Sequence, residues 1–303
     1  MPAVSPTVSF ELYPPRTPRG AETLPATVAR LAAVQPEFFS VTYGASGRTA
    51  ETSGALLAHI LEHTSVAPIA HLTCVGASEQ HLDEVVTGLI RIGVRDFLAL
   101  RGDPPEGEPD WRPHPAGYTT ASELVALLRR VEARELAGSE DTASPLSIAV
   151  AAYPGGSYDE AGRPLIEPHT IQALRAKQDA GADYAITQVF YEPASYAAFV
   201  QAARDAGIHI PIVPGIIPLT DPRRLRRLES LTGVPVPQSL LDHLDSATDP
   251  EERYARGLAA GAALVRGVLD AGAPGLHVYT FNSAGPSLDL LAAAGIRTAA
   301  DTH

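Results

Sequence analysis

Short runs of β-branched and other apolar residues recur along the chain. Each is followed by a longer stretch whose apolar positions repeat every three or four residues. The short runs, at residues 8–12, 38–42, 67–72, 97–100, 148–152, 184–189, 210–214 and 276–279, predict buried strands. The longer stretches, at residues 21–33, 50–63, 78–92, 121–137, 168–180, 195–206, 222–231, 250–271 and 287–294, predict helices. Strands alternating with helices from end to end predict an α/β fold, a parallel (β/α)8 TIM barrel filling residues 1–303 as a single domain. An open doubly wound sheet is the rival architecture. It would need G-x-G-x-x-G after the first strand to hold a dinucleotide, and that segment has no such spacing.

Glycines punctuate the helix-to-strand turns. Gly93, Gly181, Gly207 and Gly275 precede strands four, six, seven and eight, and are expected to cap helices with left-handed backbone at the bottom of the barrel. The loops after strands four and five, 101–120 and 154–167, are long. Long loops after strands belong to the top face, where barrel enzymes carry their chemistry. The polar linker 137–145 leads from a helix into a strand and predicts a surface loop.

Composition narrows the classes. In 303 residues, 45% are hydrophobic and 19% charged, enough apolar material for a large core. Lysine and arginine number 23 against 35 acidic residues, a net charge of −12 that argues against a nucleic-acid partner. A few local arginines could still serve an anionic small molecule. Cys74 is the one cysteine, which excludes an intrachain disulfide and predicts a small buried hydrophobe. The first residues lack a secretory leader pattern, and no apolar run reaches the ~18 residues a membrane span needs. The expectation is a cytoplasmic monomer or homo-oligomer with no membrane partner and no metal. Arg223, Arg224, Arg226 and Arg227 form a basic run on one helix, expected to be a solvated face without a site role.

Candidate chemistry sits where strands stop. Glu11, Thr42, His71, Arg101, Asp103, Tyr153, Gln188, Tyr279 and Phe281 all fall at or just beyond strand ends. A single such residue usually reads as a satisfied structural group: Arg101 and Asp103 could pair, and Tyr153 could be barrel packing. Their convergence on one rim of one barrel points instead to a site. Glu11 lies in an apolar run, where burial would raise its pKa toward neutrality.

These strand ends, in this order, resemble the bacterial methylenetetrahydrofolate reductase family. The resemblance rests on Phe10-Glu11 with Pro15-Arg16, Ser40-Val41-Thr42-Tyr43-Gly44-Ala45, Ala70-His71-Leu72-Thr73-Cys74 and Leu100-Arg101-Gly102-Asp103. It continues through Ala151-Ala152-Tyr153-Pro154, Ala185-Ile186-Thr187-Gln188, Pro214-Gly215-Ile216 and Tyr279-Thr280-Phe281-Asn282. It implies a reductase of a folate substrate in one-carbon metabolism. Glu11 would be the general acid and Asp103 would contact the pterin. Gln188, Tyr279 and Phe281 would line the substrate pocket, and Thr42, His71, Arg101, Tyr153 and Lys177 the cofactor pocket.

The chain departs from the family pattern where FAD is normally gripped. Thr120 stands in place of a tyrosine and Ser157 of a histidine. Thr170, Ala173 and Ala176 replace an aspartate, an asparagine and an arginine, leaving Lys177. Ser283 stands where the family has an arginine beside the folate tail, and Pro222 where an aromatic covers the nicotinamide. A dinucleotide diphosphate held without charge-assisted bonds loses roughly 1.5–3 kcal/mol for each one missing. The expectation is therefore a reductase without bound flavin, with NADH or NADPH passing hydride directly to the folate. Three alternatives remain open: the conventional FAD-dependent reductase, a proline-dehydrogenase-like flavin barrel, and a non-catalytic folate- or nucleotide-binding barrel.

Overall fold

The computed structural model describes residues 6–42, 47–103, 112–137 and 145–296. The expectations placed on Tyr43, Gly44 and Ala45, on the 104–111 part of the loop after strand four, and on the interior of the 137–145 linker lie outside the described residues.

All strands are parallel and belong to one sheet. They are β1 (Thr7–Leu12), β2 (Phe38–Val41), β3 (Ala67–Thr73), β4 (Asp96–Leu100), β5 (Ser147–Ala152) and β6 (Tyr184–Thr187), followed by β7 (Ile212–Val213), β8 (Gly215–Ile216) and β9 (Gly275–Tyr279). The order is β7-β6-β5-β4-β3-β2-β1-β9-β8. β7 pairs with β6 while β8 pairs with β9, so the two short pieces are halves of one stave that closes the ring. Pro214 divides them, because proline has no N–H to give the ladder; its carbonyl accepts from the His277 amide at 3.0 Å. The predicted eight-stave barrel is therefore present.

The helices are α1 (Pro18–Ala32), α2 (Gly47–His63), α3 (Glu79–Arg91), α4 (Ala121–Glu135), α5 (Pro168–Asp179), α6 (Pro193–Asp205), α7 (Pro222–Thr232), α8 (Gln238–Asp245), α9 (Pro250–Asp270) and α10 (Ala284–Ala294). Side chains of Thr17, Ser78, Thr120, Asp221 and Asp249 accept first-turn amides, which fixes where five of them begin. The short α8 was not expected; it follows Pro235 and Pro237. Gly93, Gly181 and Gly207 take positive φ as predicted. Gly275 does not. It opens β9, and Gly272, with φ of 86°, makes the turn instead. A Cβ on Gly275 would meet the side chain and carbonyl of Thr7, so close strand approach explains that glycine.

Successive strand residues point to opposite faces, which sorts every stave into an outer and an inner set. Phe38, Ile69, Leu98, Ala149 and Ile186 form a separate apolar cluster inside the barrel. The larger cluster, with Phe10, Leu12, Phe39 and Phe97, packs against the helices. The same parity turns Ser9, Glu11, Ser40, His71, His277 and Tyr279 inward. No described helix is long and apolar enough to cross a membrane.

Candidate active site

The interior is polar above its apolar plug. His277 is fully buried; its Nδ1 lies 2.8 Å from Ser9 Oγ and its Nε2 3.2 Å from Ser40 Oγ. Ser9 donates its one proton to the Leu276 carbonyl at 3.2 Å, so it accepts from Nδ1, and Nε2 accepts from Ser40. Burial lowers the His277 pKa to about 3, keeping the ring neutral.

Two residues beyond Ser9 on β1, Glu11 sits opposite Ser40 on one side and Tyr279 on the other. Burial raises its pKa from 4.5 to about 8, so it carries a proton at neutral pH. Its Oε2 is 3.7 Å from Nε2 of His71, a buried nitrogen without a hydrogen-bond partner among the described residues. Burial lowers the His71 pKa to about 3. Glu11 thus has a neutral imidazole beside it, while about a quarter of its own side chain remains open to solvent. This is a protonated acid facing the mouth of a barrel.

Tyr279 lies across the same mouth, its hydroxyl donating to the Thr187 carbonyl at 2.8 Å. Gly215 makes room for it: a Cβ there would come within 2.6 Å of the tyrosine ring. Beyond Tyr279 the chain is latched to β1. The Thr280 hydroxyl donates to the Glu11 carbonyl at 2.6 Å. Asn282 accepts from the Tyr13 amide at 3.0 Å and donates to the Tyr13 carbonyl at 2.7 Å. The Tyr13 hydroxyl returns to the Phe281 carbonyl at 3.1 Å. Phe281 and Asn282 both hold positive φ, 51° and 54°, which L-residues other than glycine rarely adopt in succession. The latch over-determines this strained turn and aims the Phe281 ring, over which the Arg224 guanidinium sits 4.6 Å from the centroid.

The opposite rim carries Tyr153, half-exposed, with Arg101 and Asp103 close enough for both charges to act on its hydroxyl. Arg101 and Asp103 face each other at 3.7 Å, both strongly exposed. Tyr153 and Glu11 both act electrostatically on Tyr279, which links the two rims across the mouth. Gln188 follows β6 on the inward parity, half-buried, its Oε1 accepting from the Val189 amide at 2.9 Å. Thr42 turns its hydroxyl back onto the Leu12 carbonyl at 3.2 Å. Lys177 approaches from α5 beneath the rim: buried, its Nζ donates to the Ala151 carbonyl at 2.7 Å and lies 5.6 Å from the Tyr153 ring centroid. Burial, aided by Arg101, lowers its pKa to about 8. Cys74 is buried in the larger apolar cluster, with burial raising its pKa, and its thiol donates to the backbone carbonyls of Arg101 and Thr120.

At the positions singled out for gripping a flavin dinucleotide, the described residues offer few free side-chain donors. Thr120 caps α4 in a reciprocal box with Glu123, so its hydroxyl is already used. Thr170 returns its hydroxyl to the Glu167 carbonyl at 2.7 Å, Ala173 and Ala176 offer no side-chain donor, and Lys177 is engaged below the rim. No group of three or more His, Cys, Asp or Glu side chains that could hold a metal occurs among the described residues.

The family model for methylenetetrahydrofolate reductase matches residues 2–295. The chain belongs to that family. It is 35% identical to the 5,10-methylenetetrahydrofolate reductase of Pectobacterium carotovorum subsp. carotovorum, over 96% of this chain and 90% of the relative. It is 31% identical to a probable methylenetetrahydrofolate reductase (NADH) of Oryza sativa subsp. japonica, over 95% of this chain but 48% of that longer protein. In structure it resembles a Clostridium thermocellum protein that binds two copies of 5-methyl-5,6,7,8-tetrahydrofolic acid. The TM-score is 0.63 at 14% identity, covering 96% of this chain and 94% of that one, a likeness of fold.

Asn282 stood in the strand-eight segment that carries the family resemblance but was given no role, and Arg224 was placed outside the site altogether, on a solvated face. Its place two residues after Pro222, which opens α7 on the top side of the barrel, was the signal missed.

Proposed function

We propose that this reductase converts 5,10-methylenetetrahydrofolate to 5-methyltetrahydrofolate by direct hydride transfer from NADH or NADPH, with Glu11 as proton donor. The observation that carries the reading is a carboxyl at the barrel mouth whose pKa burial raises to about 8, so that it holds a proton at neutral pH. The methylene bridge between two nitrogens is a poor hydride acceptor. Glu11 protonates one bridge nitrogen, that C–N bond breaks, and the carbon becomes an iminium on the other nitrogen. Hydride from the nicotinamide adds to this carbon and yields the methyl group, NAD(P)⁺ departs, and Glu11 regains a proton from solvent.

The remaining rim residues orient the reactants, because hydride transfer needs donor and acceptor carbons in close approach. Asp103 and Gln188 address the pterin edge, and Tyr279 and Phe281 cover its second face. Arg101 and Tyr153 line the side where the dinucleotide enters. Direct transfer is supported by the spent or missing donors at Thr120, Thr170, Ala173, Ala176 and Lys177. NADH as donor is supported by the rice relative, whose name carries that cofactor.

The test is oxidation of NADH and of NADPH followed at 340 nm with methylenetetrahydrofolate, on purified protein whose visible spectrum has been recorded. Turnover by colourless protein is expected. A yellow protein keeping one flavin per chain after desalting would overturn direct transfer, and absence of turnover with either nucleotide would overturn the reductase reading.

A further inference from the structure

Arg224 carries the one guanidinium of the α7 basic run that is stacked on a residue of the mouth. Arg226 is paired with Asp245, and Arg223 and Arg227 are exposed. Arg224 is half-buried with its guanidinium carbon 4.6 Å from the Phe281 ring centroid, and among the described residues no carboxylate or carbonyl accepts from its guanidinium N–H groups. Stacking on an aromatic ring leaves that planar edge free to meet a carboxylate with two parallel hydrogen bonds. Phe281 belongs to the apolar cluster that includes Tyr279 and Tyr191, and the Tyr191 hydroxyl is itself buried there without a partner among the described residues. The surrounding protein is strongly acidic, at −12, so a polyanionic substrate would meet repulsion unless a positive group stood at its landing point. The unstrained alternative, an arginine pointing into solvent, would not need a ring held by two consecutive left-handed residues and a four-bond latch.

We infer that Arg224, held over the Phe281 ring, is the reader of the substrate's tail carboxylate, and so discriminates folates bearing a glutamate tail from free reduced pterins. The inference rests on the reductase reading for its substrate. It adds a binding determinant separate from the chemistry at Glu11. A bidentate charge-assisted contact at a partly buried site corresponds to about ten- to a hundredfold in affinity.

The test uses Arg224→Ala, Arg224→Lys and the neighbouring control Arg223→Ala, with two substrates: methylenetetrahydrofolate monoglutamate, and the methylene adduct of a tetrahydropterin lacking the p-aminobenzoylglutamate tail. For the monoglutamate, Arg224→Ala is expected to raise KM about ten- to a hundredfold at nearly unchanged kcat. Arg224→Lys should recover part of the loss, and Arg223→Ala should behave as wild type. For the tail-free substrate, wild type and Arg224→Ala should give the same KM. Equal loss on both substrates, or no loss on either, overturns the inference while leaving the reductase reading intact. Binding of 5-methyltetrahydrofolate and of its tail-free analogue, followed by tyrosine and tryptophan fluorescence, separates the two claims. Should wild type bind the folate in an Arg224-dependent way yet turn nothing over, the inference stands and the reductase reading falls. Should it bind neither, both fall.

Discussion

The carboxyl of Glu11 and the imidazole of His71 approach to 3.7 Å, too far for a hydrogen bond, and among the described residues the His71 nitrogen in that gap has no other partner. Both groups are neutral at pH 7: burial has raised the acid's pKa and lowered the base's. A neutral imidazole can accept a hydrogen bond from the O–H of a neutral carboxyl, and both groups stay uncharged. A small approach when substrate closes the mouth would fix the carboxyl's rotamer and the direction of its O–H. His71→Leu should therefore lower kcat about tenfold or more, with the folate KM nearly unchanged, because orientation and not binding is lost. His71→Asn, which keeps an acceptor, should recover part of the rate. Steady-state kinetics on both variants decide this, and an unchanged kcat in His71→Leu would remove His71 from the chemistry.

Glu11 also leaves a signature in stability. Its pKa rises from 4.5 to about 8 on folding. Below pH 4.5 both states hold the proton. Between 4.5 and 8 only the folded state does, so folding stability falls as pH rises through that window and levels off above it. His71 and His277, lowered to about 3, act in the opposite sense: the unfolded chain takes up their protons below pH 6.5, and stability is lost as pH falls from 6.5 toward 3. From pH 6.5 to 8 the acid therefore acts without them. Over that window, urea titrations of wild type should show stability dropping by up to about 2 kcal/mol, at ~1.4 kcal/mol per pH unit, less whatever its solvent-exposed quarter recovers. Glu11→Gln should flatten that slope and cut turnover a hundredfold or more while folate binding is largely retained. A variant that keeps the wild-type slope and rate would remove Glu11 from both roles.

The barrel and its inner face were legible because alternation is a local property. Residues two apart on a stave share a face, so Glu11, His71 and Tyr279 could be expected to converge before any contact was known. What was not legible depends on partners distant in sequence. In Ala271-Gly272-Ala273-Pro274-Gly275 either glycine could make the turn; only the approach of Thr7 to Gly275 decides that Gly272 does. In Arg223-Arg224-Leu225-Arg226-Arg227 every arginine carries the same charge pattern, and only Phe281, arriving after α9 and β9, singles out Arg224. Lys177 matched a cofactor position by alignment, yet its reach to Ala151 depends on how α5 leans against β5.

The latch between β1 and the turn after β9 should be measurable. Asn282→Ala removes both bonds to Tyr13 and places alanine at a φ of 54°. Two lost hydrogen bonds and left-handed strain should together cost about 2–4 kcal/mol. Asn282→Gly loses the bonds but accepts the backbone, so it should be less destabilised than Asn282→Ala. Both variants should raise the folate KM, since Phe281 and Arg224 lose their fixed position. Thermal and urea denaturation of the three proteins order them directly. Equal stability of the alanine and glycine variants would show that the turn is not strained.

Gly215 tests how tightly the mouth is built. It follows Pro214 at the break in the seventh stave, and its amide donates to the Thr187 hydroxyl at 2.8 Å. A methyl group there would press on the Thr187 carbonyl and on the ring and hydroxyl of Tyr279, the latter at 2.9 Å. Thr187 is backbone in the neighbouring stave and cannot yield, so Tyr279 must move and give up its hydrogen bond to that same carbonyl. Overpacking of this kind costs roughly 1–3 kcal/mol. Gly215→Ala should therefore fold with a lowered Tm and show reduced kcat/KM for the folate. Gly54, in α2 with nothing within 4 Å of a would-be Cβ, supplies the control: Gly54→Ala should leave activity unchanged and stability equal or higher, because alanine favours the helix. If Gly215→Ala matches wild type in kcat/KM, the placement of Tyr279 over the mouth does not matter to the reaction.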